Sequence, residues 1–261
     1  MKANVFYSMI LSLLCSLSVA LFSVSVQAKT EPVWLQNNAQ LIVVSVADWQ
    51  TNTGKLQRFA RVDGDWQAVD EPFAVSIGKN GSAWGLGVHP TQTAGPQKVE
   101  GDGKAPAGIF SIGTSFGYAP ALSTKLNYQA MTDTDWCVDV NESPLYNQIV
   151  STRSVGIQAV EGSTEPMRRD MHLDGDQLYQ KGFVIAHNPS NIPKAGSCIF
   201  AHLWRAPGKP TAGCTAMNSA DMDALLQWLD ASKNPHFVLL PTEQYQQLQK
   251  SWQLPKLKDK L

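Results

Sequence analysis

Apolar residues in this chain fall in short runs punctuated by turn formers, not in long helical stripes. Leu41–Ala47, Phe73–Ile77, Gly108–Ile112, Phe183–Ala186, Cys198–Leu203 and Phe237–Leu240 are four to seven residues each, the length of strands with one or both faces covered. Between them lie segments such as Gly78-Lys79-Asn80-Gly81 and Gly101-Asp102-Gly103-Lys104, whose glycines permit the positive φ of tight turns. One stretch has helical spacing: Met222, Leu225, Leu226 and Leu229 share a face, Asn218-Ser219 offers a cap, and Asp221 and Asp223 occupy the first turn. That helix is expected to end at Asn234-Pro235 and to pack on a sheet. Glu243–Trp252 reads as a weaker terminal helix, and Lys256–Leu261 as a solvated tail. The pattern predicts a mainly β chain with one or two packed helices.

The amino end departs from it. Lys2, a serine-interrupted apolar stretch from Val5 to Val26 and the ending Val26-Gln27-Ala28 form the charged, apolar and small-residue segments of a secretory signal. We expect residues 1–28 to be cleaved off and 29–261 to form a single domain with its core at about 41–241, without stable membrane insertion. The serines argue against retention as an anchor, although the stretch is long enough to span a bilayer. With 261 residues, 43% apolar, the chain suits one well-cored domain. Its formal charge of −1, without a Lys/Arg cluster, argues against nucleic acid as a partner.

The chemistry concentrates in Ser197–Met217. His202 precedes Cys214 by twelve residues, and Thr211, Ala212, Gly213 and Thr215 surround the cysteine with small side chains. A thiol is mostly protonated at neutral pH, so a cysteine nucleophile needs an imidazole to take its proton. Small neighbours leave the sulfur open and let backbone amides, at Gly213 and Cys214, face a developing oxyanion. Singly, a free cysteine or a lone histidine is commonly a packed residue; wrapped together this way, they read as catalytic. Thr211 either donates to the sulfur or shapes the turn. His187, ending an apolar strand, is a possible orienter of the imidazole, a task a backbone carbonyl also performs. Trp84 and Trp204 are candidates for lining a cleft or for the core.

Export changes the cysteine count. Of four cysteines, Cys15 leaves with the signal; if Cys214 is kept reduced, Cys137 and Cys198 are free to form one disulfide. A zinc set of His187, Cys198, His202 and Cys214 is the rival from another class. Cys198 and His202 would lie roughly 13 Å apart along a strand, and no Cys-x-x-Cys occurs, so neither metal nor cofactor is called for. A papain-like peptidase would place its nucleophile before its histidine, whereas here His202 comes first.

Phe200–Met217, with His202 followed by Thr211-Ala212-Gly213-Cys214, resembles the active-site signature of the L,D-transpeptidase catalytic-domain (YkuD-like) family. A second block agrees: Gly78-Lys79-Asn80-Gly81, then Lys98-Val99-Glu100-Gly101-Asp102 and Pro106-Ala107-Gly108, is similar to that family's G-x-N-G and K-x-E-G-D-x-x-x-P-x-G blocks. The resemblance implies a β-sandwich of mixed sheets with the reactive cysteine near one end. It also implies peptidoglycan stem peptides as partners, in the periplasm or cell wall. Cys214 would attack the L-centre carbonyl of the third stem residue, a diamino acid, and expel the terminal D-amino acid; the acyl group would pass to an amine, giving a cross-link, or to water, giving an L,D-carboxypeptidase. Many members carry arginine two residues after the cysteine, where this chain has Ala216. Arg205 is a possible substitute for that substrate contact, and a noncatalytic wall-binding module is the remaining alternative.

Overall fold

The computed structural model of the protein describes residues 31–257; the expected signal, 1–28, lies outside them, as does the end of the carboxy-terminal tail. Among the described residues, eleven strands form one mixed sheet. β1 (Gln40–Val46) pairs parallel with β14 (His236–Pro241) and antiparallel with β2 (Thr53–Val62). From β14 the ladder continues antiparallel through β6 (Ala105–Gly117), β11 (Lys181–Ile185) and β12 (Phe200–Leu203). β12 then pairs parallel with β13 (Thr215–Met217), and β4 (Phe73–Ser76) links β13 back to β2. The order therefore closes on itself and the sheet doubles over as a β-sandwich. β3 (Asp65–Ala68) extends β2, while β5 (Ser82–Trp84) and β7 (Tyr128–Ala130) run along β6.

β1 and β14 are buried at every position, which explains why their sequences are near-continuous apolar runs and do not alternate. They feed the larger core, with Ile42, Val44, Phe110, Phe237 and Leu239 sealed from solvent. Helix α4 (Thr242–Leu248) packs on β1 and β14. A smaller core collects Phe116, Met131, Met167, Tyr179 and Phe200 around the disulfide between Cys137 and Cys198 and the free Cys214. It is roofed by a three-stranded sheet of β8 (Asp135–Cys137), β9 (Ile149–Ser151) and β10 (Glu165–Pro166), with the single-turn helices α1 (Thr152–Val155) and α2 (Arg169–His172) in its connections.

The long helix, α3 (Ser219–Trp228), buries Met222, Leu225 and Leu226, and Asn218 caps it by accepting a hydrogen bond from the Asp221 amide at 2.8 Å. It stops before the expected Asn234-Pro235. Leu229 is already extended, and a separate turn, Ala231–Lys233, capped by Asp230, fills the gap. The expected strand at 198 begins only at Phe200, because Cys198 adopts a left-handed backbone with φ of 55°. The two glycine-rich blocks meet backbone to backbone. A Cβ on Gly78 would lie 2.5 Å from the Gly103 carbonyl, and one on Gly81, whose φ is 81°, would lie 2.0 Å from the Trp49 carbonyl, so only glycine fits either place.

Candidate active site

The parallel pairing of β12 and β13 builds the site. His202 lies opposite Ala216, and Cys214 stands two residues before Ala216, so period-two alternation turns all three toward one side. That side is a cleft of about 330 Å³ lined by Cys214, His202, Ala216, Tyr179, Trp204, Thr211 and the charged Glu165, Arg169, Lys79, Arg205 and Lys209.

Cys214 is 8% exposed; the sulfur is recessed in the wall and not open as the sequence suggested. Its Sγ accepts from the Phe200 amide at 3.3 Å and faces the Cys198 carbonyl at 3.5 Å. The disulfide that fastens Cys198 thus anchors the segment that cradles Cys214. Burial pushes the thiol up to about 12, and the nearby Glu165 carboxylate acts in the same direction.

His202 Nδ1 lies 2.6 Å from the Leu203 carbonyl. A carbonyl only accepts, so Nδ1 carries the proton and Nε2 keeps its lone pair. Tyr179 packs edge-on against the imidazole at 5.2 Å. Burial pushes His202 down to about 4. At rest, then, thiol and imidazole are both held neutral by burial. Alkylation of Cys214 by iodoacetamide should accordingly be slow at pH 7 and rise about tenfold per pH unit through pH 9. A rate that levels off below pH 8 would contradict the neutral pair.

The sequence candidates separate. Thr211 shapes the turn: its hydroxyl donates to the Cys214 carbonyl at 2.6 Å and accepts from the Gly213 amide at 3.1 Å. The Gly213 amide is therefore engaged within the turn at rest. The loop is pinned from below, since the Lys79 amide donates to the Thr211 carbonyl and the Thr211 amide to that of Ile77. His187 is not an orienter of His202: its Nδ1 accepts from the Leu86 amide and its Nε2 donates to the Ala195 carbonyl. Arg205 sits on the rim with its side chain 64% exposed and pairs with Asp176 at 2.9 Å. Trp204 lines the cleft, whereas Trp84 is core, edge-on against Trp49 and Trp252. The zinc set does not assemble, because Cys198 is bonded to Cys137 and His187 is held elsewhere.

Sequence reasoning passed over a cluster behind the imidazole. The Tyr179 hydroxyl donates to Glu165 Oε2 at 2.7 Å, Arg169 lies over the Tyr179 ring at 4.9 Å, and Arg169 pairs with Asp176 at 2.8 Å and Glu165 at 3.6 Å. The one trace in the sequence is the four-residue spacing of Glu165 and Arg169.

A buried cysteine at the start of one strand and a tautomer-fixed histidine on its parallel neighbour, lining one cleft of a β-sandwich, have the layout of a cysteine acyl-transfer site. The family model described as the L,D-transpeptidase catalytic domain matches residues 39–238, and the chain belongs to that family, whose chemistry is performed on peptidoglycan. Neither curated proteins nor solved structures returned a match. Among the described residues no helix is long and apolar enough to cross a membrane.

Proposed function

We propose that Cys214 is the acyl-accepting nucleophile of an L,D-transpeptidase that acts on stem tetrapeptides, with His202 as its base. The register that sets both side chains in one cleft, with only Nε2 of the imidazole left as acceptor, carries this reading. Because both groups start neutral, proton transfer accompanies attack: Nε2 takes the thiol proton as sulfur bonds to the L-centre carbonyl of the third residue. The tetrahedral oxyanion is left to the amide of Cys214 itself, given that the Gly213 amide is engaged. Nε2 then returns the proton to the departing D-amino acid, leaving a thioester.

The cleft's rim suits an anionic donor, since Lys79, Lys209, Arg205 and Arg169 outnumber Glu165 among its charged lining residues. Export with loss of residues 1–28 fits the amino-terminal pattern, and the Cys137–Cys198 disulfide is of the kind that persists in an oxidising compartment. The protein is assigned to the periplasm or cell wall, with donor tetrapeptide and an amine acceptor as partners.

Incubation of residues 29–261 with purified tetrapeptide muropeptides should give an intact-mass increase equal to the stem minus its terminal D-amino acid, located on the peptide containing Cys214. An adduct elsewhere, or free D-amino acid appearing without any thioester in quenched samples, would contradict the assignment.

A further inference from the structure

We infer that Glu165 is the base that readies the acceptor amine, and thereby the residue that directs the acyl group to an amine in preference to water. The inference rests on Cys214 forming the thioester proposed above.

Glu165 reaches the cleft from outside the main sheet. It lies on β10, at the edge of the small roofing sheet, and its carboxylate joins Cys214 and His202 in lining one cleft. Its side chain is 22% exposed. Both recorded contacts, the Tyr179 hydroxyl at 2.7 Å and the nearer Arg169 nitrogen at 3.6 Å, fall on Oε2. Among the described residues, neither of these contacts engages Oε1. One oxygen is therefore fixed in place, which leaves the other as the carboxylate's remaining acceptor in a residue that lines the cleft. Arg169 is directed away by its stronger pairing with Asp176 at 2.8 Å, a carboxylate that also holds Arg205, so it does not quench Glu165 fully. Burial raises the carboxyl above its ordinary value; Tyr179 and Arg169 oppose this, and Asp139 and Glu100 add to it. A carboxylate so placed both attracts an ammonium ion and is basic enough to share its proton.

Glu165 meets the small core of Phe116, Met167, Tyr179 and Phe200 through the Tyr179 hydroxyl, where an ionic cluster is a poor source of stability. Acyl transfer has a use for a charge there. An amine acceptor arrives as an ammonium ion and cannot attack until a proton leaves. The thioester has already consumed the thiol proton, and His202, pushed down by burial, is a weak acceptor for a proton from an alkylammonium. In the proposed step, Glu165 takes one proton from the ammonium. The freed amine attacks the thioester carbonyl, forming the N–C bond. The tetrahedral nitrogen passes its second proton to His202 Nε2, the C–S bond breaks, and His202 returns that proton to the departing sulfur. Glu165 gives its proton to solvent, so the net change is amide and thiol formed with one proton released.

The test compares wild type with Glu165→Gln, which keeps the size and can still accept from Tyr179. Each is acylated with tetrapeptide muropeptide, then offered either a peptide amine or hydroxylamine, which is already uncharged at neutral pH. Acyl-enzyme, amide product and hydrolysed stem are read by mass spectrometry. The expected result is that Glu165→Gln still acylates and still hydrolyses, loses amine transfer by about 100-fold, and reacts with hydroxylamine like wild type. Glu165→Asp should recover part of the amine transfer. An unchanged partition between amine and water would overturn the inference while leaving Cys214 as nucleophile. Equal loss with both acceptors, or of acylation itself, would show a structural role and overturn it too. If wild type forms no adduct at all, the thioester reading falls together with this one.

Discussion

Cys214→Ala is expected to abolish release of the terminal D-amino acid from stem tetrapeptides, and His202→Ala to reduce it by roughly 10²–10⁴-fold, the contribution of a positioned general base. The difference follows from the geometry. Without sulfur no thioester forms by any route, whereas without the imidazole the sulfur remains cradled by the Phe200 amide, and solvent base reaches it slowly. Raising the pH should partly rescue His202→Ala, because the thiol, pushed up to about 12 by burial, ionises by itself only in strong alkali. Thermal melts of both variants guard against a trivial loss of fold. Turnover of Cys214→Ala at the wild-type rate would end the nucleophile assignment.

Acid should unfold this protein well before its carboxylates are exhausted. His187 and His202 are each pushed down to about 4 by burial, and His89 and His236 are lowered for the same reason. A buried histidine held neutral binds protons less readily folded than unfolded. Its stabilising contribution is complete above the unfolded value near 6.5 and is lost as pH falls from there toward 4. For His187 and His202 together the loss at pH 5 is about 4 kcal/mol, a large share of the 5–15 kcal/mol typical of a domain. Glu165 acts in the opposite sense, since its carboxyl is raised, but it is one group against four. A melting midpoint lower by roughly 10 °C at pH 5 than at pH 7.5 is the expected result. An unchanged midpoint over that interval would mean the histidines are not held neutral.

The chain displayed some of this openly and hid the rest for identifiable reasons. β1 and β14 were legible because strands covered on both faces are written as near-continuous apolar runs, Leu41–Val44 and Phe237–Leu240 here. α3 was legible from its Met/Leu spacing and from Asn218. The odd cysteine count, once one thiol was reserved for chemistry, pointed to the Cys137–Cys198 bond. β2 was missed because its pattern mixes Gly54, Lys55 and Arg58 with Leu56 and Phe59, and β13 because three residues leave no period to detect. The contact between the Gly213 amide and Thr211 was not legible, since nothing in a sequence shows a hydroxyl folding back onto an amide two residues ahead. Glu165 and Tyr179 lie in a stretch without periodicity and reach His202 only through tertiary packing. Arg205 drew attention by its proximity in sequence, while the arginine buried in the wall is Arg169, thirty-three residues before the imidazole.

His202 and Cys214 are held in step by the ladder between β12 and β13, and the exposed Pro207–Pro210 stretch between those strands contributes no rung to it. That stretch is consequently a replaceable part. Because Lys209 and Pro210 line the cleft, exchanging that stretch should change what the cleft admits while the strand register keeps His202 and Cys214 at their spacing.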